Sequence, residues 1–174
     1  MVVRDVKLSD AERIRTIYSY YVESTAVSFE YDVPSIEEFE NRISKTIENF
    51  PYYVVEDEGV VIGYAYAGPF VGRIAYRFSA ELSIYIGKDS KGKGCGRMLY
   101  DALEKELSKR GFTNLYACIG DPIEEDEYLT RDSEHFHEHM GFKKVGTFYK
   151  CGYKFGRWYN MIWVEKIIKE HEKN

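Results

Sequence analysis

The chain has 174 residues, with 24 Lys+Arg against 29 Asp+Glu and a formal net charge of −5. That length suits a single domain spanning 1–174 that buries roughly 70% of its unfolded surface, and the acidic balance argues against nucleic acid, whose phosphates select a basic face. Cys95, Cys118 and Cys151 lack CxxC spacing, the N-terminus has no apolar leader and no apolar run reaches bilayer length, so the expectation is a cytoplasmic protein, neither secreted nor membrane-embedded.

Val2 to Val6 reads as a short strand, followed by Ser9 and Asp10 as cap chemistry for a helix that turns Ile14, Ile17, Tyr18 and Tyr21 inward. Ala26 to Tyr31 is extended. Ser35 and Glu38 form a capping box for a second helix bearing Phe39, Ile43 and Ile47. Phe29 and Glu30, just ahead of it, either floor a pocket or staple the helix start. Tyr52 to Glu56 and Val60 to Ala67 form an antiparallel hairpin around Asp57, Glu58 and Gly59, and Gly68 with Pro69 breaks the second strand before a loop carrying Arg73, Tyr76 and Arg77.

Glu81 to Leu107 organises the rest. Leu82 to Ile86 is a strand, Gly87 ends it, and a run rich in glycine and lysine opens into a helix with Met98, Leu99, Ala102, Leu103 and Leu107 on one stripe and Gly111 as its stop. Glycines at 92, 94 and 96 leave no Cβ in the way, so backbone N–H groups of Gly92, Gly94, Cys95 and Gly96 can converge on an anion at the helix start, helped by Lys91, Lys93 and Arg97. Walker A chemistry needs a hydroxyl where Gly94 stands, and the dinucleotide fingerprint needs glycine where Arg97 stands. Both are therefore disfavoured.

Beyond the loop come a strand over Phe112 to Ile119, a short helix over Ser133 to Met140 stopped by Gly141, closing strands near Lys144 to Lys150 and Arg157 to Val164, and a charged tail, 165–174, that stays helical or frays. His135 and His139 are spaced i, i+4 but carry no HExxH pattern, so no metal is expected. Cys118 and Cys151 sit in apolar runs where a thiol is inert packing, which favours direct transfer over a covalent enzyme intermediate.

Lys91, Gly94 and Gly96 resemble the pyrophosphate loop of the GNAT acetyltransferase superfamily, with Lys91 in place of the usual Arg or Gln. The element order resembles the same family along nearly the whole chain. Within it the sequence is most similar to phosphinothricin N-acetyltransferases and related amino-acid N-acetyltransferases. Gly68, Pro69, Phe70, Arg73 and Tyr76 carry that likeness, as do Glu81, Ser83, Tyr85 and Ile86, then Phe136, His137, Gly141 and Phe142, and the Cys151 to Trp158 run. The resemblance implies an α+β GNAT fold, a mixed and largely antiparallel sheet flanked by helices. It also implies acetyl-CoA as co-substrate, a small amino-acid-like amine as acceptor and a homodimer.

The resemblance assigns Glu81 as the base that deprotonates the amine, and His137 as a residue that orients substrate, helps protonate the departing thiolate, or simply fills the interior. Acetyl-CoA would lie along Ile84, Tyr85 and Ile86, the 91–97 loop and Ser133; Arg73, Tyr76 and Phe29 would meet the acceptor. Where the family has a short Pro and Asn segment, this chain inserts Asp121 to Asp132, either a cover that attracts a cation or a solvated acidic loop. Two other readings keep the fold: a non-catalytic acyl-CoA or nucleotide-binding regulator in which Glu81 is dispensable, or an acetyltransferase for polyamines or protein amines, the polyamines being met by the acidic insertion.

Overall fold

The computed structural model describes residues 1–172. Seven strands form one sheet in the order β1-β2-β3-β4-β5-β7-β6. They are β1 (Val2–Asp5), β2 (Tyr52–Asp57), β3 (Val60–Pro69), β4 (Ser79–Ile86), β5 (Asn114–Asp121), β6 (Lys143–Lys154) and β7 (Arg157–Ile167). The helices are α1 (Ala11–Ser24), α2 (Ile36–Ile47), α3 (Cys95–Lys109) and α4 (Asp132–His139). Every adjacent pair of strands is antiparallel except β4 and β5, the mixed α+β sheet expected.

The alternation of side chains along the strands separates two cores. On one face Leu99, Leu103 and Leu107 of α3 pack on Leu82, Leu115, Ile162 and Val164; on the other Ile14, Ile17, Tyr18 and Tyr21 of α1 and Phe39 and Ile43 of α2 pack on Tyr52, Val54 and Tyr64. Both helices of the second core lie over β2 to β4. Over β5 to β7 that face carries no helix; on the last hairpin Phe148, Tyr149, Tyr153 and Trp158 are exposed, Tyr149 to 79%.

Local chemistry explains most of the boundaries. Glu58 and Gly59 both take positive φ, 48° and 81°, the primed turn that a two-residue hairpin requires, and Phe155 and Gly156 repeat it at 51° and 73° between β6 and β7. The first helix differs from expectation, because Leu8–Asp10 forms a single 3-10 turn and the Asp10 carboxylate accepts the Lys7 N–H at 2.8 Å and the Arg4 guanidinium instead of capping α1. Ser35 does cap α2, but Glu38 reaches Arg42 at 2.9 Å instead of closing the box, and Ile47 is exposed.

Five further expectations are corrected. Gly68 and Pro69 do not break β3, since Gly68 pairs with Glu81 and Pro69, the last strand residue, with Ala80. β5 is shifted two residues toward the C-terminus, and β6 runs on past Lys150 by absorbing an irregularity between Phe148 and Gly152. The charged tail is neither helical nor frayed at its start: Glu165, Lys166 and Ile167 continue β7 opposite Tyr116, Leu115 and Asn114, and Lys166 donates to Glu104 of α3 at 2.5 Å. Cys118 and Cys151 are exposed rather than packed, because they lie on the part of the sheet without a helix.

Candidate active site

The glycine run folds as a hinge into α3. A 3-10 turn at Lys88–Ser90 leads to Gly92 and Gly94, whose φ values of +76° and +82° place them in the left-handed region, and α3 starts at Cys95 with its first amides facing outward. Gly96 has a different role. A Cβ there would lie 2.8 Å from the Phe136 ring of α4, so its bareness is what lets the two helices approach. A cleft of about 470 Å³ opens between β4, this loop and α4, lined by Ile84, Ile86, Lys91, Gly92, Gly94, Cys95, Gly96, Arg97 and Ser133. Lys91 is held over the rings of Tyr20 and Tyr21, 5.9 and 5.5 Å from their centroids. Lys93 is exposed beside the cleft, and the Cys95 thiol turns inward, 3.7 Å from the Ser90 carbonyl.

β4 and β5 are paired only from Ser79 with Asn114 to Glu81 with Tyr116, and beyond that the strands part. Backbone direction shows which groups the gap exposes. The Gly87 N–H points to β3, bonding Ile62 O at 2.8 Å, while the Ile86 N–H and C=O point the other way and are both taken by the Tyr21 hydroxyl, at 3.3 and 2.5 Å. By strand alternation the Ile84 N–H also faces the gap. A second cavity of about 60 Å³ fills the wedge between the strands, and Val27, Ile84 and Ser133 line it as well as the larger cleft. Tyr85 backs this wedge, but its ring packs edge-on to Tyr18 and Tyr21.

Glu81 stands where the strands begin to part. It is half-buried, makes no ion pair among the described residues, and burial raises its carboxyl above the ordinary value. Cys118 is an exposed residue, yet enough protein surrounds its thiol that burial, with a smaller push from the Glu81 carboxylate, raises it to about 11, so it stays protonated. His137 is only 2% exposed. Its Nδ1 lies 2.7 Å from the Ser133 carbonyl, which only accepts, so Nδ1 carries the proton and Nε2 accepts from the Tyr100 hydroxyl at 2.8 Å. Desolvation depresses the imidazole to about 4, so the ring is neutral.

Three segments frame the open end. Phe70 stacks on Tyr116, the partner of Glu81, at 4.0 Å and meets Tyr76 edge-on, while Arg73 is exposed and unpaired among the described residues. Phe29 lies over Gly152, where a Cβ would come within 2.4 Å of its ring. Lys154, nearly buried, donates to the Thr25 and Ser28 carbonyls at 2.9 and 2.7 Å and so ties the 25–30 loop to the last hairpin. The acidic insertion is solvated at Glu124, Glu125 and Glu127 and held in place at Asp121 and Asp126. Asp121 is buried against Arg131, and Asp126 accepts from Arg157 at 3.0 Å, Tyr159 at 2.9 Å and the amides of Tyr128 and Leu129.

The sequence matches the acetyltransferase (GNAT) domain family over residues 3–163. The chain belongs to the GNAT acetyltransferases. It is 34% identical over 167 residues to a phosphinothricin N-acetyltransferase of Alcaligenes faecalis, covering 95% of this chain and 82% of that one. It is 30% identical over 174 residues to the L-amino acid N-acyltransferase MnaT of Escherichia coli, covering 98% and 95%. A crystal structure of a GNAT phosphinothricin acetyltransferase from Sinorhizobium meliloti in complex with acetyl-CoA superimposes with a TM-score of 0.88 at 34% identity, covering 95% of this chain and 87% of that one.

Several residues of this GNAT acetyltransferase site escaped the sequence reading. Tyr100 was hidden because it falls on the buried stripe of α3, and Thr130, Asp132, His139 and Met140 line the large cleft from a segment that pattern alone leaves as loop and short helix. Tyr21 was assigned to the core, where its ring does lie, but its hydroxyl closes the Ile86 amide. No group of His, Cys, Asp and Glu able to hold a metal occurs among the described residues.

Proposed function

We propose that the protein transfers the acetyl group of acetyl-CoA to the primary amine of a small amino-acid-like substrate by direct attack in a ternary complex. One observation carries the reading: a cleft that begins at the glycine loop runs into the β4/β5 gap beside a half-buried carboxylate with no cation partner. The coenzyme's pyrophosphate would sit on the amides of 92–97, with Lys91, Lys93 and Arg97 supplying charge. Its thioester oxygen would meet the Ile84 N–H, which stabilises the oxyanion as it forms.

Glu81, directly or through a water, takes the proton of the ammonium, and the neutral amine attacks the carbonyl carbon. The tetrahedral intermediate collapses with loss of the coenzyme thiolate, which takes up the second proton shed by the amide nitrogen. Neutral His137 has no spare proton to give, so it acts as a positioning residue that fixes Tyr100. Arg73 and Tyr76 would hold the substrate carboxylate, with Phe29 bounding the same space. The pairing of Asp121, Asp126 and Glu127 with Arg131 and Arg157 leaves the insertion poorly suited to a polycation. The three thiols are free, which suits the cytoplasm, and the uncovered aromatics of β6 and β7 suit a homodimer.

The test is a thiol-release assay with acetyl-CoA against amino acids, methionine analogues, phosphinothricin and polyamines, run on the species that sedimentation resolves so that the dimer is checked together with the activity. Turnover with carboxylate-bearing amines is expected. Turnover with polyamines alone removes the carboxylate clamp, and none at all leaves a binding protein.

A further inference from the structure

The small cavity in the β4/β5 wedge has a far wall that comes from outside the sheet. Leu82, Ala117 and Ile119 line it from the strands and Leu129 closes it from loop 121–131, while Val27 of loop 25–30 stands where it meets the larger cleft. Leu129 is 3% exposed and clusters with Ala26 and Tyr159. Its backbone is fixed on both sides: the Asp126 carboxylate accepts the Leu129 N–H at 2.9 Å, the Leu129 carbonyl accepts the Asp126 N–H at 3.1 Å, and the adjacent Tyr128 carbonyl accepts the Ala26 N–H at 2.9 Å. Gly120 packs beneath it: a Cβ there would crowd the Ala26 carbonyl oxygen at 3.2 Å and touch Leu129 Cδ2 at 3.4 Å.

We propose that Leu129, presented by the 121–131 segment, sets the acyl-chain length this acetyltransferase accepts and holds it to acetyl. The inference rests on the reading that an acyl-CoA enters along Ile84. The wedge is small, about 60 Å³ against about 470 Å³ for the cleft that adjoins it, which suits a short acyl group. A longer chain meets a wall tethered at both ends, and one extra methylene against an apolar wall discriminates by about 10- to 200-fold. The acidic insertion then acts through the leucine it positions, while its charges serve as the tether.

Acetyl-, propionyl- and butyryl-CoA are compared with the wild type, Leu129→Ala and Val27→Ala, by transfer to one active amine and by calorimetric binding without amine. The wild type should lose about tenfold or more with each added methylene, and Leu129→Ala should raise butyryl relative to acetyl by about tenfold or more in both measurements. If Leu129→Ala does not fold, Val27→Ala opens the same cavity from its other loop and carries the test. Leu129→Phe should reject acetyl-CoA while still binding free coenzyme A. Wild-type protein that accepts butyryl-CoA as well as acetyl-CoA, or folded variants whose acyl preference is unchanged, overturns the proposal. Chain-length discrimination in binding, with transfer to no amine, would uphold the gate and sink the acetyltransfer reading instead.

Discussion

The two ends of β4 are built on opposite principles. At its C-terminal end everything needed to hold an anion lies in one contiguous run, Ile84 to Arg97, and most of the contacts it offers are backbone amides set by two left-handed glycines and a helix start. At its N-terminal end Glu81 pairs with Gly68 of β3 and Tyr116 of β5, and Phe70 stacks on that tyrosine, so its surroundings are assembled from separate segments. The first end should therefore respond to changes in backbone conformation, and the second to changes in single functional groups.

Three outcomes sharpen that contrast. The largest effect is expected from Glu81→Gln, which removes a proton acceptor while keeping its shape: kcat/KM should fall by about 10²- to 10⁴-fold with acetyl-CoA affinity unchanged. In the wild type kcat/KM should drop as the pH falls through the raised Glu81 value, because only the carboxylate accepts a proton, and the variant should lack that limb. An unchanged rate for every active amine would remove the base assignment.

Next comes His137, buried beside the wedge and bonded to the Ser133 carbonyl and the Tyr100 hydroxyl. Its folded value of about 4 lies below the 6.5 of the unfolded chain, so between these pH values the unfolded state binds the proton more readily. Stability should be full above about pH 6.5 and fall by roughly 3 kcal/mol as the pH drops toward 4. Chemical denaturation of His137→Gln across that range should show the slope reduced. A slope equal to that of the wild type would place the acid sensitivity elsewhere.

The smallest effect is expected at the backbone-built end. Gly94→Ala adds a Cβ that meets nothing within 4 Å, so its cost is conformational only, about 1–2 kcal/mol for a left-handed φ. Because the free variant loop can relax out of that conformation and must regain it to bind, acetyl-CoA should bind about 5- to 30-fold more weakly by calorimetry, while the pH limb assigned to Glu81 stays in place. A shift of that limb instead would show that the two ends are not separable.

The glycine loop was legible because its chemistry is local: positive-φ glycines, lysines and a helix stripe follow one another and need no partner to be interpreted. The hairpin turn at Glu58 and Gly59 and the inward faces of α1 and α3 follow from periods of two and 3.6 and from turn residues. By contrast the fates of Asp126, Lys154, Cys118 and Leu129 depended on which distant segment arrived beside them. Asp126 meets Arg157, Lys154 reaches Thr25, Cys118 is left bare by the missing helix, and Leu129 is pushed into a wedge that exists only because β4 and β5 part after Glu81. Sequence alone determined the elements and the glycine-rich turn into α3, since short-range sterics and periodicity act within a few residues. Only the tertiary structure decided the shape and reach of the reacting end, because burial and partnership are properties of side chains brought together across the whole sheet.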